Sequence, residues 1–116
     1  MSRLLGIRGE AAVAGYLRRK GYTLLCHSFH CRYGEIDLIA KKGGVVCFVE
    51  VKMRSNVQYG LPREAVTHQK QEKLRKTALF YLSVQDLDCP TRFDVAEVYT
   101  DDNGAPGRIV YIKNAF

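Results

Sequence analysis

Charged side chains interrupt two stretches that otherwise read as buried strand: Gly34-Glu35-Ile36-Asp37-Leu38-Ile39-Ala40 and Phe48-Val49-Glu50-Val51-Lys52. An unpaired charge among such neighbours costs several kcal/mol, so each needs a partner or a ligand. Side chains two apart on a strand share a face, which sets Glu50 beside Lys52 and Glu35 beside Asp37. Between the stretches, Lys41-Lys42-Gly43-Gly44 has the composition of a hairpin turn, and a hairpin brings the two pairs together. Opposed positions in a hairpin with an even-numbered loop sum to an odd number, as those of Asp37 and Glu50 do, so the two carboxylates share a face. With the turn centred on Lys42-Gly43, Asp37 faces Phe48 and lies diagonal to Glu50, about 7–8 Å away at the backbone. A β-bulge between Ala40 and Glu50 would undo that placement.

Two carboxylates at this separation, with an ammonium beside them, suit a hard divalent cation. Magnesium takes one or two carboxylates, several waters and the phosphate oxygens of a substrate; manganese is the alternative ion. Such an ion lowers the pKa of a bound water and neutralises charge on a phosphodiester. Lys52 would then hold the attacking water or meet the developing negative charge. The competing structural reading is a Glu50–Lys52 surface pair on an edge strand, with Asp37 solvated nearby. The apolar company of Phe48, Val49 and Val51 weighs against it.

Eighteen Lys and Arg against twelve Asp and Glu leave a formal charge of +6 on 116 residues. That surplus favours polyanionic partners, nucleic acid first among them; a basic surface with no partner is the bland alternative. No block of five like charges occurs, so the basic residues form a solvated surface and not a tail. No apolar run approaches the ~20 residues needed to cross a bilayer. The first ten residues are too polar for the apolar region of a signal peptide. The expectation is a cytoplasmic protein with no membrane partner, a single domain over residues 1–116.

Cys26-His27-Ser28-Phe29-His30-Cys31 packs four candidate zinc ligands into six residues. Extended backbone puts Cys26 and His30 on one face and His27 and Cys31 on the other. Closing four ligands from one strand is sterically poor, and structural zinc sites use two separated ligand pairs. Ordinary strand residues are the better reading, and without an export signal the four cysteines stay reduced.

Leu4, Ile7, Ala11, Ala14 and Leu17 recur at helical spacing up to Lys20, with Gly21 placed to close the helix. Strands follow at Tyr22–Phe29, Glu35–Ala40 and Val45–Met53. Arg54–Leu61 reads as a polar loop, and Pro62 is placed to open a second helix. Its stripe is Val66, Lys70, Leu74, Ala78, Tyr81 and Leu82. Thr91–Tyr99 and Arg108–Ile112 read as strands separated by the turn Asp101-Asp102-Asn103-Gly104. The order α-β-β-β-α-β-β is that of a small α/β domain with a central sheet of about five strands flanked by helices.

Asp37 followed thirteen residues later by Glu50-x-Lys52 resembles the reduced PD-(D/E)XK nuclease signature. A fuller set is more specific: Gly9-Glu10 with Tyr16-Leu17, Lys20-Gly21-Tyr22, Gly34 to Ile39, Phe48 to Lys52 with Arg54, Ala65-Val66 with Lys70, Arg92-Phe93-Asp94-Val95 and Asn114-Ala115-Phe116. Together these resemble the YraN family of uncharacterised bacterial proteins almost from end to end. That family is regarded as restriction-endonuclease-like and akin to Holliday-junction resolvases. The resemblance implies a mixed-sheet α/β nuclease fold. It makes Asp37 and Glu50 metal ligands, with the Val51 carbonyl as a third, and Lys52 the catalytic lysine. Glu10 matches an acidic residue that some resolvase-like members add to the metal site, against which stands an ordinary exposed helix glutamate. Glu35 either supports the site or flanks it, and Lys70 is either a snorkelling structural lysine or part of the site. Met53 and the segment Cys26–Cys31 look less typical of the family.

The function these residues imply is a magnesium- or manganese-dependent endonuclease acting on branched or structured DNA, reading backbone and shape. Resolvase-like relatives cut two strands as dimers, which brings in a homodimer, although no interface stripe is readable here. The alternative is a nucleic-acid-binding protein on a nuclease scaffold that does no chemistry.

Overall fold

The computed structural model describes residues 3–54 and 66–116, with side chains from Gly6 onward. Its elements are α1 (Arg3–Arg19), β1 (Thr23–Cys31), β2 (Gly34–Lys42), β3 (Val45–Arg54), α2 (His68–Val84), β4 (Thr91–Thr100) and β5 (Pro106–Ile112). The strands form one sheet in the order β1-β2-β3-β4-β5. Only β3 and β4 run parallel; the other neighbours are antiparallel. A parallel pair needs a crossover, and α2 lies in that crossover. This is the α/β fold with a mixed five-stranded sheet and the element order implied by the sequence. No helix among the described residues is long and apolar enough to cross a membrane.

The two helices cover opposite faces of the sheet. Val13, Ala14 and Leu17 of α1 pack on Leu38, Ala40, Cys47, Val49, Ala96 and Val98. Leu74, Ala78 and Tyr81 of α2 pack on Ile36, Ile39, Val46, Phe48 and Val95. The central strands are thus buried on both faces, which explains their nearly continuous hydrophobic runs.

Both helix ends follow from single residues. The Tyr22 amide donates to the Leu17 carbonyl (2.9 Å) and the Gly21 amide to that of Arg18 (3.1 Å). Gly21 has φ +90°, so this is a Schellman closure with Tyr22 and Leu17 packed in the same core. At the other helix, the Thr67 hydroxyl accepts from the Lys70 amide at 3.1 Å and opens α2 at His68. That start is later than an opening at Pro62 would give. A capping hydroxyl satisfies an otherwise unpaired amide, which proline's fixed φ cannot do. Arg54 of the expected loop Arg54–Leu61 belongs to β3; the rest of that stretch, with Pro62 and Ala65, lies outside the described residues.

The β2–β3 turn differs from expectation by one position. Lys42 pairs with Val45, and Gly43-Gly44 form the turn, both with positive φ (59° and 78°). Two adjacent glycines suit a tight turn that demands positive φ twice; a turn centred on Lys42-Gly43 would put lysine there. The parity argument survives, because the loop still has an even count. The register moves, however: Leu38 pairs with Val49, so Asp37 and Glu50 are the next positions beyond the last pair instead of a diagonal one.

Behind the sheet, Asp94 is fully buried and gathers four hydrogen bonds. Arg92 grips it bidentately at 2.9 Å through both contacts, Tyr111 donates at 2.6 Å and the Asn114 amide at 3.0 Å. Arg92 also donates to the Tyr22 hydroxyl at 2.8 Å. One carboxylate therefore ties the start of β1, β4, β5 and the segment after β5 together. Asp94→Ala strands the guanidinium and the Tyr111 hydroxyl, and should cost about 3–5 kcal/mol. Urea denaturation should show a lower midpoint at unchanged slope, with Asp94→Asn falling between wild type and Asp94→Ala.

Candidate active site

β3 alternates regularly along its length. Val49, Val51 and Met53 turn to the α1 side and Phe48 to the α2 side, so Glu50 and Lys52 also turn toward α2. On β2 the alternation slips at Asp37: Ile36 belongs to the α2-side core and Leu38 to the α1-side core. The last β2–β3 ladder pair is Leu38–Val49. Beyond it the Asp37 side chain takes over from the backbone, and its Oδ2 accepts the Val51 amide at 2.7 Å. Ser28 falls between the pairs His27–Leu38 and Phe29–Ile36, opposite Asp37, with φ 55°. Both strands slip at one level and the register stays matched. Strict alternation, expected for Glu35 with Asp37 and for Cys26 to Cys31, therefore fails; on β1 the left-handed Ser28 turns the chain that follows it.

The slip delivers Asp37 to Glu50, and the two carboxyl groups are hydrogen bonded. Burial first, then that hydrogen bond and the Glu50 charge, push the Asp37 carboxyl up to about 8. Burial also acts on Glu50, yet the bond to Asp37 and the charges of Lys70 and Lys52 outweigh it and hold Glu50 below its ordinary value. Near neutral pH the pair thus shares one proton, with the negative charge on Glu50. Lys52 Nζ lies 3.8 Å from Glu50 Oε2. Burial and the neighbouring Lys70 ammonium lower the pKa of Lys52.

Lys70 is more than a neighbour. Its Nζ lies 2.5 Å from Glu50 Oε2, closer than that of Lys52. Glu10 of α1 reaches the site through charge: burial and then Glu35 and Glu50 raise its pKa, and it raises that of Asp37 in turn. Glu35 stands at the rim, 3.5 Å from His30. Glu10 and Glu35 both line an open cleft of about 770 Å³ between α1 and β1, with Arg18, His27 and His30. Glu97 had not been singled out from the sequence. It is buried on β4, opposite Lys52 in the parallel register, and binds Arg54 at 3.0 Å and the Tyr99 hydroxyl at 3.1 Å. A carboxylate inside Val95-Ala96-Glu97-Val98 carried the same signal as Glu50, and Arg54 was its natural partner.

The family model "Uncharacterised protein family UPF0102" matches residues 9–98, which include every residue of this cluster. The chain belongs to that family. It is 45% identical to a UPF0102 protein of Alkaliphilus metalliredigens, with the whole of both chains covered. The UPF0102 protein of Caldicellulosiruptor saccharolyticus is 42% identical over 98% of each chain. That of Syntrophus aciditrophicus is 46% identical over 96% of this chain and 87% of the relative.

Whether this UPF0102 chain offers a fit for a divalent metal turns on its donor set. Among the described residues no three His, Cys, Asp or Glu side chains gather as a metal-binding group. No such group forms among Cys26, His27, His30 and Cys31. Two adjoining carboxyls are what magnesium or manganese asks of a protein when waters and phosphate complete the shell. Glu50 Oε2 is withdrawn from solvent and takes no well-directed hydrogen bond among the described residues, and the Lys52 and Lys70 ammonium groups face it. The donor set fits such an ion.

The shared proton has a stability signature. Asp37 titrates near 4 when unfolded but at about 8 when folded. The folded state therefore holds the extra proton between these values. Its stability contribution should decline as pH rises from about 4 to about 8 and level off above. The lowered Glu50 acts below its unfolded value, outside that window. Asp37→Asn cannot titrate, so its stability relative to wild type should improve from about pH 5 to about pH 8. Denaturation of both proteins across this range measures the trend, and parallel curves would contradict it.

Proposed function

We propose that the protein is a magnesium- or manganese-dependent endonuclease that hydrolyses phosphodiester bonds in branched or otherwise structured DNA. The observation that carries this reading is the Asp37–Glu50 carboxyl pair beside Lys52, where β2 leaves β3. Asp37 and Glu50 would hold the ion, which supplies charge neutralisation and an acidified water when bound. Lys52, its pKa lowered by burial, is placed to meet negative charge developing on the phosphate. Glu10 adds charge from α1 and strengthens the site's attraction for a cation.

The surface supports a polyanionic substrate. Between Lys70 and Lys76, α2 carries Lys70, Lys73, Arg75 and Lys76 against the single acid Glu72, and Lys73, Arg75 and Lys76 are exposed. These side chains suit phosphate contacts, which position a nucleic acid without reading its sequence. The overall charge of +6 favours the same class of partner.

Branched, single-stranded and duplex DNA, with RNA counterparts, should be offered to the protein with magnesium or manganese. Cleavage should favour branched DNA and vanish in Glu50→Ala, while Lys52→Ala should slow it by about 10²–10³-fold. Affinity should fall by about 10³ between 50 and 200 mM salt for some six phosphate contacts. Salt-sensitive binding without cleavage under either ion would identify a non-catalytic binding protein. Cleavage that survives Glu50→Ala would place the chemistry elsewhere.

A further inference from the structure

Glu50 Oε2 faces two ammonium groups with different freedom. Lys52 is fixed by β3, whose backbone pairs with β4 along the whole stretch from Val46 to Arg54. Lys70 comes from the first turn of α2, where the Thr67 cap anchors its amide and leaves its side chain 41% exposed. A long, half-exposed methylene stem lets the ammonium swing while the helix stays in place. The lysine that touches Glu50 is thus also the one that can leave it.

We propose that Lys70 is an exchangeable counter-ion: its ammonium holds Glu50 Oε2, yields that oxygen to a divalent cation, and then turns to a phosphate of the incoming nucleic acid. The inference rests on the reading of Asp37 and Glu50 as cation ligands and adds how that site is regulated. A magnesium ion needs an oxygen at about 2.0–2.1 Å. An ammonium 2.5 Å from the same oxygen would share that small space with it, and like charges so close repel strongly. One of them must leave. A displaced Lys70 keeps its positive charge and lies next to exposed Lys73, three residues along the same face of α2. There a phosphate is a better partner than water. Cation and nucleic acid should therefore each tighten the binding of the other, because one supplies the displacement and the other a new partner.

The test is calorimetric titration of magnesium and of manganese into wild type, Lys70→Met and Lys76→Met, without nucleic acid. Lys76→Met controls for the loss of one positive charge on the same helix. Lys70→Met should bind either ion more tightly than Lys76→Met by about 5-fold or more. Equal affinities, or weaker binding in Lys70→Met, would overturn the exchange while leaving the cation site standing. Absence of binding in all three proteins would overturn both. A second measurement needs no variant: the side-chain ammonium resonance of Lys70 in protein labelled with ¹⁵N-lysine. It should be protected from exchange and should lose that protection as magnesium saturates the protein. A Lys70 signal indifferent to a magnesium addition that calorimetry shows to bind would overturn the exchange.

Discussion

Two carboxyl groups in hydrogen-bond contact inside a protein cannot both remain ionised without a cation to separate them. Here the contact is made by Asp37 and Glu50, and the arrangement around them answers it in several ways at once. A proton is retained on Asp37, two ammonium groups attend Glu50, and the Val51 amide donates to Asp37. The amide works against the upward shift of Asp37, so the value of about 8 reflects burial and Glu50 prevailing over a favourable bond. The site is under electrostatic tension that the proton retained on Asp37 relieves.

Remote features matter because they fix where that tension is held. The Gly43-Gly44 turn sets the register that brings the carboxyls face to face. The Thr67 cap sets the start of α2, and with it the turn on which Lys70 rides. Gly9 leaves room for the Met53 side chain between α1 and β3; Glu10 is the next residue along. The Asp94 cluster ties β4, β5 and the start of β1 together one register position from Glu50, Asp94 lying beside Val49.

The broad architecture was legible because hydrophobic periodicity is redundant: many residues vote for each element, and both helices and all five strands emerged. The site was legible for a different reason, that carboxylates inside apolar runs are hard to explain otherwise. What escaped depended on single residues or on long-range contacts. Ser28 adopts a left-handed conformation that glycine or asparagine would have advertised and serine does not. Lys70 was ambiguous because a lysine on an apolar helical stripe reads alike whether it snorkels or meets a carboxylate twenty positions away. Glu97 bears the signal that marked Glu50, yet no local lysine or motif drew notice to it, and Asp94 stood out only as part of Arg92-Phe93-Asp94-Val95.

The paired slip at Ser28 and Asp37 constrains how this part of the chain can vary in length. Alternation between the two faces of β1 and β2 is offset by one residue across that level, while the register is the same on both sides of it, the shift in this strand pair lying earlier, between Leu24 and Cys26. Deleting a residue from one strand alone would turn its outer half over and bury what is now exposed. Removing one from each would keep the two strands matched across this level. Length changes at this point are thus tolerable only as compensated pairs, and even then they would carry Asp37 out of reach of Glu50.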